Sequence, residues 1–119
     1  RREQGFRIYQ LDFTDGKPKS YAFCGIEALI KAGYEQPPAA DYALVYQGTQ
    51  YCFISDSAKV CLELIFNRFN ERMPEGYGGR SIAPSDVIEL YDENGRRYFY
   101  CDKERFYEVK FSPLLAKKK

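Results

Sequence analysis

The chain of 119 residues contains no histidine, no tryptophan and one methionine. Without an imidazole, a Ser–His or Cys–His nucleophile cannot be assembled, and neither can a mixed Cys/His zinc site. The four cysteines (Cys24, Cys52, Cys61 and Cys101) are separated by 28, 9 and 40 positions, so no Cys-x-x-Cys knuckle is present. Each lies in an apolar context, where a reduced cysteine behaves as a small hydrophobe. A secreted domain with two disulfides is the rival reading of the same four residues. No apolar run approaches the roughly 18 residues of a membrane span, and no leader pattern opens the chain. The expected setting is the cytoplasm, with neither metal nor cofactor.

Aromatic residues are plentiful: eleven Tyr and nine Phe, with 45% of all residues apolar and 29% charged. Such a composition is that of an ordinary globular domain, and 119 residues suffice for one core. Aromatics favour strands, which makes the tyrosine excess a β signal first. Tyrosine is also common at binding surfaces, where it offers a rigid face and a polar tip, and both readings stay open.

The formal charge of +1 hides an uneven distribution. Five of the 18 cations are Arg1, Arg2, Lys117, Lys118 and Lys119, leaving 13 against 17 carboxylates over residues 3–116, a net of −4. A duplex-binding domain needs a basic stripe on its folded body, which this distribution does not provide. The polar ends also read as connectors, as though the chain were one domain cut from a longer polypeptide.

The pattern predicts β-α-β-β-α-β-β-β. Phe6 to Leu11 is a strand with Phe6 and Ile8 on one face and Tyr9 and Leu11 on the other. Asp15-Gly16-Lys17-Pro18 is turn chemistry. Gly25 to Ala32 is a short helix with Ile26, Leu29 and Ile30 on one side, stopped by Gly33. Tyr42 to Gln47 is a strand, turned at Gly48-Thr49 into a partner at Gln50 to Ile54. A longer helix follows, capped by Ser55 or Asp56, with Ala58, Leu62, Ile65, Phe66 and Phe69 as its apolar stripe and Pro74 and Gly76 beyond its end. Asp86 to Tyr91 and Arg96 to Cys101 make a hairpin around Asn94-Gly95, and Tyr107 to Phe111 is the last strand. The fold class is α+β, with a mainly antiparallel sheet of five to six strands and two helices. Its first six elements resemble the split βαβ order of ferredoxin-like folds.

Chemistry-bearing residues concentrate between 69 and 106. The run Gly76-Tyr77-Gly78-Gly79-Arg80-Ser81 permits sharp bends or close approach of a ligand, but lacks phosphate-loop spacing. Ser81, Ser85 and Asp86 precede a strand, where short polar side chains fix turns by bonding nearby backbone. Pro84 holds that approach extended, and Asn70 suits a helix C-terminus. The functional alternative has Arg80, Ser81, Ser85 and Asp86 presenting donors and acceptors to a peptide or anionic ligand. With a tyrosine-bearing sheet face added, the candidate binding residues are Asn70, Tyr77, Arg80, Ser81, Ser85, Asp86, Tyr98 and Tyr100. Arg96-Arg97-Tyr98-Phe99-Tyr100 invites a single-stranded nucleic-acid reading, although the glycine of an RNA-binding aromatic motif is missing. Asp86 and Asp102 are the carboxylates that a catalytic pair would draw on, and nothing in the sequence brings them together.

These residues carry a resemblance. Tyr42-x-Leu44-Val45-Tyr46, Phe69-Asn70 with Pro74, Gly79-x-Ser81, Ser85-Asp86-Val87-Ile88, and Tyr98-x-Tyr100-x-Asp102 before Phe106 are together similar to the YodL-like domain, over about Tyr9 to Phe111. The family pattern often has His where Arg80 stands and Gly where Arg105 stands, so histidine-dependent chemistry in that loop is closed to this chain. The resemblance implies a small domain of multidomain proteins from Gram-positive conjugative and other mobile elements, of unassigned biochemical role and without established catalytic residues. The resulting expectation is a single domain, with its core at about 6–111, acting as a non-enzymatic protein-interaction module. Its partner would be another protein or neighbouring domains of the same polypeptide. The alternative is a single-stranded nucleic-acid-binding domain.

Overall fold

The computed structural model describes residues 5–48, 58–92, 95–103 and 105–118. Strand β1 (Gly5–Leu11) leads through helix α1 (Ile26–Lys31) and a 3-10 turn (Ala39–Asp41) to β2 (Tyr42–Gly48). Helix α2 (Ala58–Glu71) precedes β3 (Val87–Asp92), β4 (Gly95–Cys101) and β5 (Phe106–Val109), and a two-residue strand β6 (Lys117–Lys118) follows. The sheet order is β5-β4-β3-β1-β2-β6, antiparallel except where β6 joins β2. The expected α+β class, the mostly antiparallel sheet and the two helices are all present.

Alternation along the central strand explains the two layers. Phe6 and Ile8 join Leu62, Ile65 and Phe69 of α2 in one core cluster, with Ile88, Leu90 and Phe99 from β3 and β4. Tyr9 and Leu11 join Leu29 of α1 in another, with Tyr42, Val87, Tyr100 and Phe111. Ile8 pairs with Tyr46 and Tyr9 with Leu44, so β2 carries one extra residue, Val45, in a bulge that bends it. The helices therefore cover opposite sides of one sheet. In a ferredoxin-like fold both helices lie on one side, and the resemblance to that order does not extend to this architecture. Here β1 sits between β2 and β3 and is antiparallel to both.

Element limits follow local chemistry closely. Gly25 and Ala32 are the N-cap and C-cap of α1, and Gly33 takes a left-handed φ of 93° just beyond it. Hairpin β3–β4 pairs Asp92 with Gly95, while the intervening residues 93–94, including the Asn94 expected in its turn, lie outside the described residues. The expected strand at Gln50 to Ile54 and the expected caps Ser55 and Asp56 also fall outside them. The last main strand is Phe106–Val109 instead of Tyr107 to Phe111, because Phe111 leaves the sheet edge to pack on Tyr9, Tyr42 and Tyr98. Lys117 and Lys118, read as part of a polar connector, instead pair beside Ala43 and Leu44.

Candidate functional site

The glycine-rich loop is fastened to the sheet by one buried side chain. Gln10, on β1, accepts the Arg80 backbone N–H at 2.9 Å and donates to the Arg80 carbonyl at 2.9 Å. The same amide nitrogen donates to Asp86 Oδ2 at 3.0 Å, and that oxygen also accepts the Ala83 N–H at 2.9 Å. A side chain on Gly79 would collide with this arrangement, since an added Cβ would lie 2.7 Å from Gln10 Oε1 and 2.6 Å from Tyr77 Oη. The Gly79-x-Ser81 spacing thus reflects close packing of a loop on a strand. Tyr77 closes the loop by donating to the Arg80 carbonyl at 2.6 Å, and burial pushes its phenol up to about 12.

Asp86 is a strongly perturbed carboxylate. It is buried, no cation pairs with it, and its Oδ1 has no hydrogen-bond partner among the described residues. Burial raises its carboxyl from 3.8 to about 7, against the opposing pull of the Ala83 and Gln10 hydrogen bonds and of Arg80. Asp102 is turned elsewhere: its Oδ1 lies where a Cβ on Gly25 would sit, and accepts the Lys103 N–H at 2.7 Å. The two carboxylates do not form a pair. Among the described residues no group of three or more Cys, Asp or Glu is placed to hold a metal ion.

Ser85 has a structural assignment. Its N–H donates to the Cys101 carbonyl at 3.0 Å while the Cys101 N–H donates to the Asp86 carbonyl at 2.8 Å, so two residues oppose one in a bulge. The bulge places Ser85 at φ 82°, a position usually given to glycine. Its Oγ accepts the N–H of Phe23 at 3.1 Å, and its carbonyl accepts the Tyr42 hydroxyl at 2.6 Å. Phe23 is the other non-glycine residue with positive φ among those described, at 59°.

That contact leads to a surface the sequence did not disclose. Phe23 and Phe13 are 48% and 40% exposed, and their rings stack at 5.9 Å with planes 24° apart. The Arg80 guanidinium lies 5.6 Å from the Phe13 ring and 5.4 Å from the Phe23 ring, while Nη2 donates to the Leu11 carbonyl at 3.1 Å. Lys19 Nζ is 5.3 Å from the Phe13 ring and pairs with Asp15 at 3.0 Å. Of the candidate residues, Arg80 alone belongs to this patch. Asn70 and Ser81 are exposed apart from it, Tyr77 and Tyr98 are half-buried, and Ser85, Asp86 and Tyr100 are buried.

Three buried tyrosines direct their polar tips inward. Tyr100 donates to the Cys24 carbonyl at 3.1 Å, Tyr21 to Asp41 at 2.9 Å, and Tyr9 to Glu89 at 3.0 Å. Burial raises the phenols of Tyr9, Tyr21, Tyr42 and Tyr100 above the usual tyrosine range. The β4 aromatics accordingly form no open platform for stacking bases: Tyr100 is inaccessible and Phe99 is 5% exposed. Arg97 is held bidentately by Glu108 at 2.9 and 3.0 Å, and Arg96 lies 4.0 Å from the buried Glu89.

The sequence model of the YodL-like domain family matches residues 5–111. The chain belongs to the YodL-like domain family. Comparison with curated proteins and with solved structures finds no match. Several motifs of this YodL-like domain now have physical roles. Gly79-x-Ser81 brings the loop against Gln10, and Ser85-Asp86 makes the bulge that starts β3. Tyr100 pins the turn before α1, and Asp102 lies against Gly25 at the start of that helix. Arg80, one of the departures from the family pattern, reaches the exposed phenylalanine pair.

Proposed function

We propose that this YodL-like domain is a non-enzymatic protein-interaction module whose contact surface centres on Phe13, Phe23 and Arg80. The setting implied by the resemblance is a multidomain protein of a bacterial mobile element, and we place it in the cytoplasm. The observation that carries this reading is Phe23. A bulky residue held at φ 59° costs on the order of 1–2 kcal/mol in backbone strain, yet its ring is left half in water beside a second exposed Phe. Packing gains little from that arrangement. A partner that covers two stacked rings and a guanidinium gains both apolar area and a planar donor, the residue types enriched where binding energy concentrates.

The experiment compares wild type with Phe13→Ser combined with Phe23→Gly as baits in an extract of a Gram-positive host. Glycine at 23 keeps the left-handed backbone and releases its strain, so the variant's stability should lie within about 1 kcal/mol of wild type. Recovery of a partner by wild type, with at least tenfold less on the variant, supports the reading. Equal recovery on both baits overturns it. So does micromolar, salt-sensitive binding of labelled single-stranded oligonucleotides.

A further inference from the structure

The sheet ends on β5, whose outer edge carries no strand among the described residues. An uncovered edge offers a row of main-chain donors and acceptors to an incoming chain. Beside this edge, on the α2 side, lies a cleft of about 890 Å³, within the range of sites that enclose a ligand. Phe66 of α2, Phe99 of β4 and Phe106 of β5 form its apolar lining, with the Phe66 and Phe106 rings 6.3 Å apart and nearly perpendicular. Lys59, Lys103 and Arg105 also line it and form no ion pair among the described residues. The carboxylates of the lining do not balance them: Asp102 lies against Gly25, and with the Arg105 guanidinium over the Tyr107 ring this leaves Glu63 against Lys59 and Lys103 among the described residues.

We propose that this edge and cleft receive an extended acidic segment of a protein partner, which adds as a strand beside β5. The inference rests on the interaction-module reading but uses a surface separate from the phenylalanine pair. Strand addition supplies main-chain hydrogen bonds for affinity and places alternate side chains on each face of the sheet. On the α2 face those side chains meet the rings of Phe66 and Phe106 and the cations around them. On the other face they run past Tyr107, which is 37% exposed with the Arg105 guanidinium 5.9 Å from its ring. The charges select an acidic sequence. A polypeptide is favoured over a nucleic-acid strand because the edge presents both N–H and C=O groups, whereas a phosphodiester backbone brings acceptors without matching donors.

The probe is a fluorescein-labelled, end-capped octapeptide alternating Glu with Val, followed by anisotropy and by amide hydrogen exchange of the domain. Saturable binding is expected, with protection rising at Phe106 and Glu108, whose main-chain groups face the open edge. Lys59→Glu combined with Arg105→Glu should weaken it at least tenfold, and so should N-methylation of the peptide's edge-facing amides. Both substituted residues are exposed, and circular dichroism of the variant checks its fold. Absence of saturable binding at millimolar peptide overturns the proposal. Binding indifferent to N-methylation does too, as does tighter occupation of the same cleft by an oligothymidylate of equal charge. The Phe13→Ser, Phe23→Gly variant should bind this peptide as wild type does, so failure at one surface is distinguishable from failure at the other.

Discussion

Asp86 links a single carboxyl to the pH response of the fold. Its proton is held to about pH 7 in the folded chain, whereas an ordinary aspartate releases it near 3.8. Between those values the folded state binds more protons than the unfolded state, so stability falls as pH rises. The contribution is complete below about pH 4 and lost by about pH 8, and is on the order of 2–4 kcal/mol. Asp86→Asn keeps an acceptor for Gln10 and the Ala83 N–H but cannot ionise. Urea denaturation from pH 4 to 8 should show this slope in wild type and its loss in the variant, with the variant gaining relative stability at the alkaline end. The ion pair between Glu89 and Arg7 is a separate case. Glu89 is fully buried with Arg7 Nη1 at 2.6 Å, and Glu89→Ala would leave that guanidinium without its carboxylate at a cost of about 3 kcal/mol, read from the denaturation midpoint.

Helix α2 shows what hydrophobic spacing resolves and where it stops. Its stripe reads correctly from the sequence, yet its members are not equivalent. Leu62, Ile65 and Phe69 are buried, whereas Phe66 sits at the cleft with one side open. Leu62→Ala should therefore cost about 3–4 kcal/mol and Phe66→Ala nearer 2, a ranking that paired thermal melts would check. Periodicity also located β1, β2, the β3–β4 hairpin and α1, because each has its own alternating or helical pattern and its own breaker. It did not reveal the order of strands, which depends on pairings between residues as remote as Tyr9 and Val87. Nor did it disclose Gln10, a polar residue in an apolar strand whose partners are contributed by a loop 70 positions away. The short polar residues before β3 were legible as turn formers, and that is how Ser85 and Asp86 are used. Phe13 and Phe23 resembled any other aromatics until the backbone angle of Phe23 and the position of Arg80 were known.

At the scale of the whole molecule, one sheet serves as the common wall of two apolar layers. Leu29 of α1 and Ile65 of α2 are both buried, in different clusters. Since neither layer has a strand set of its own, both should melt together. Leu29→Ala and Ile65→Ala should lower stability additively, to within about 0.5 kcal/mol, in one transition. Coincident near- and far-ultraviolet circular dichroism curves in the double variant would bear this out, and two separate transitions would contradict it. Such sharing also explains why tyrosine is so frequent: a wall with two dry sides needs strand-favouring side chains that can still hydrogen-bond inside, as Tyr9, Tyr42 and Tyr100 do.

The central place of β1 has a consequence for biosynthesis. Tyr9 meets Glu89 across 80 positions of chain, so a ribosome adding roughly 5–20 residues per second needs about 4–16 s to make the second after the first. During that interval the middle of the future sheet has one long side vacant. Vectorial synthesis therefore cannot complete this domain gradually from its N-terminus. The nascent segment must wait, with Phe6, Ile8 and Tyr9 unsheltered, until the β3 residues emerge and close both layers in the same event.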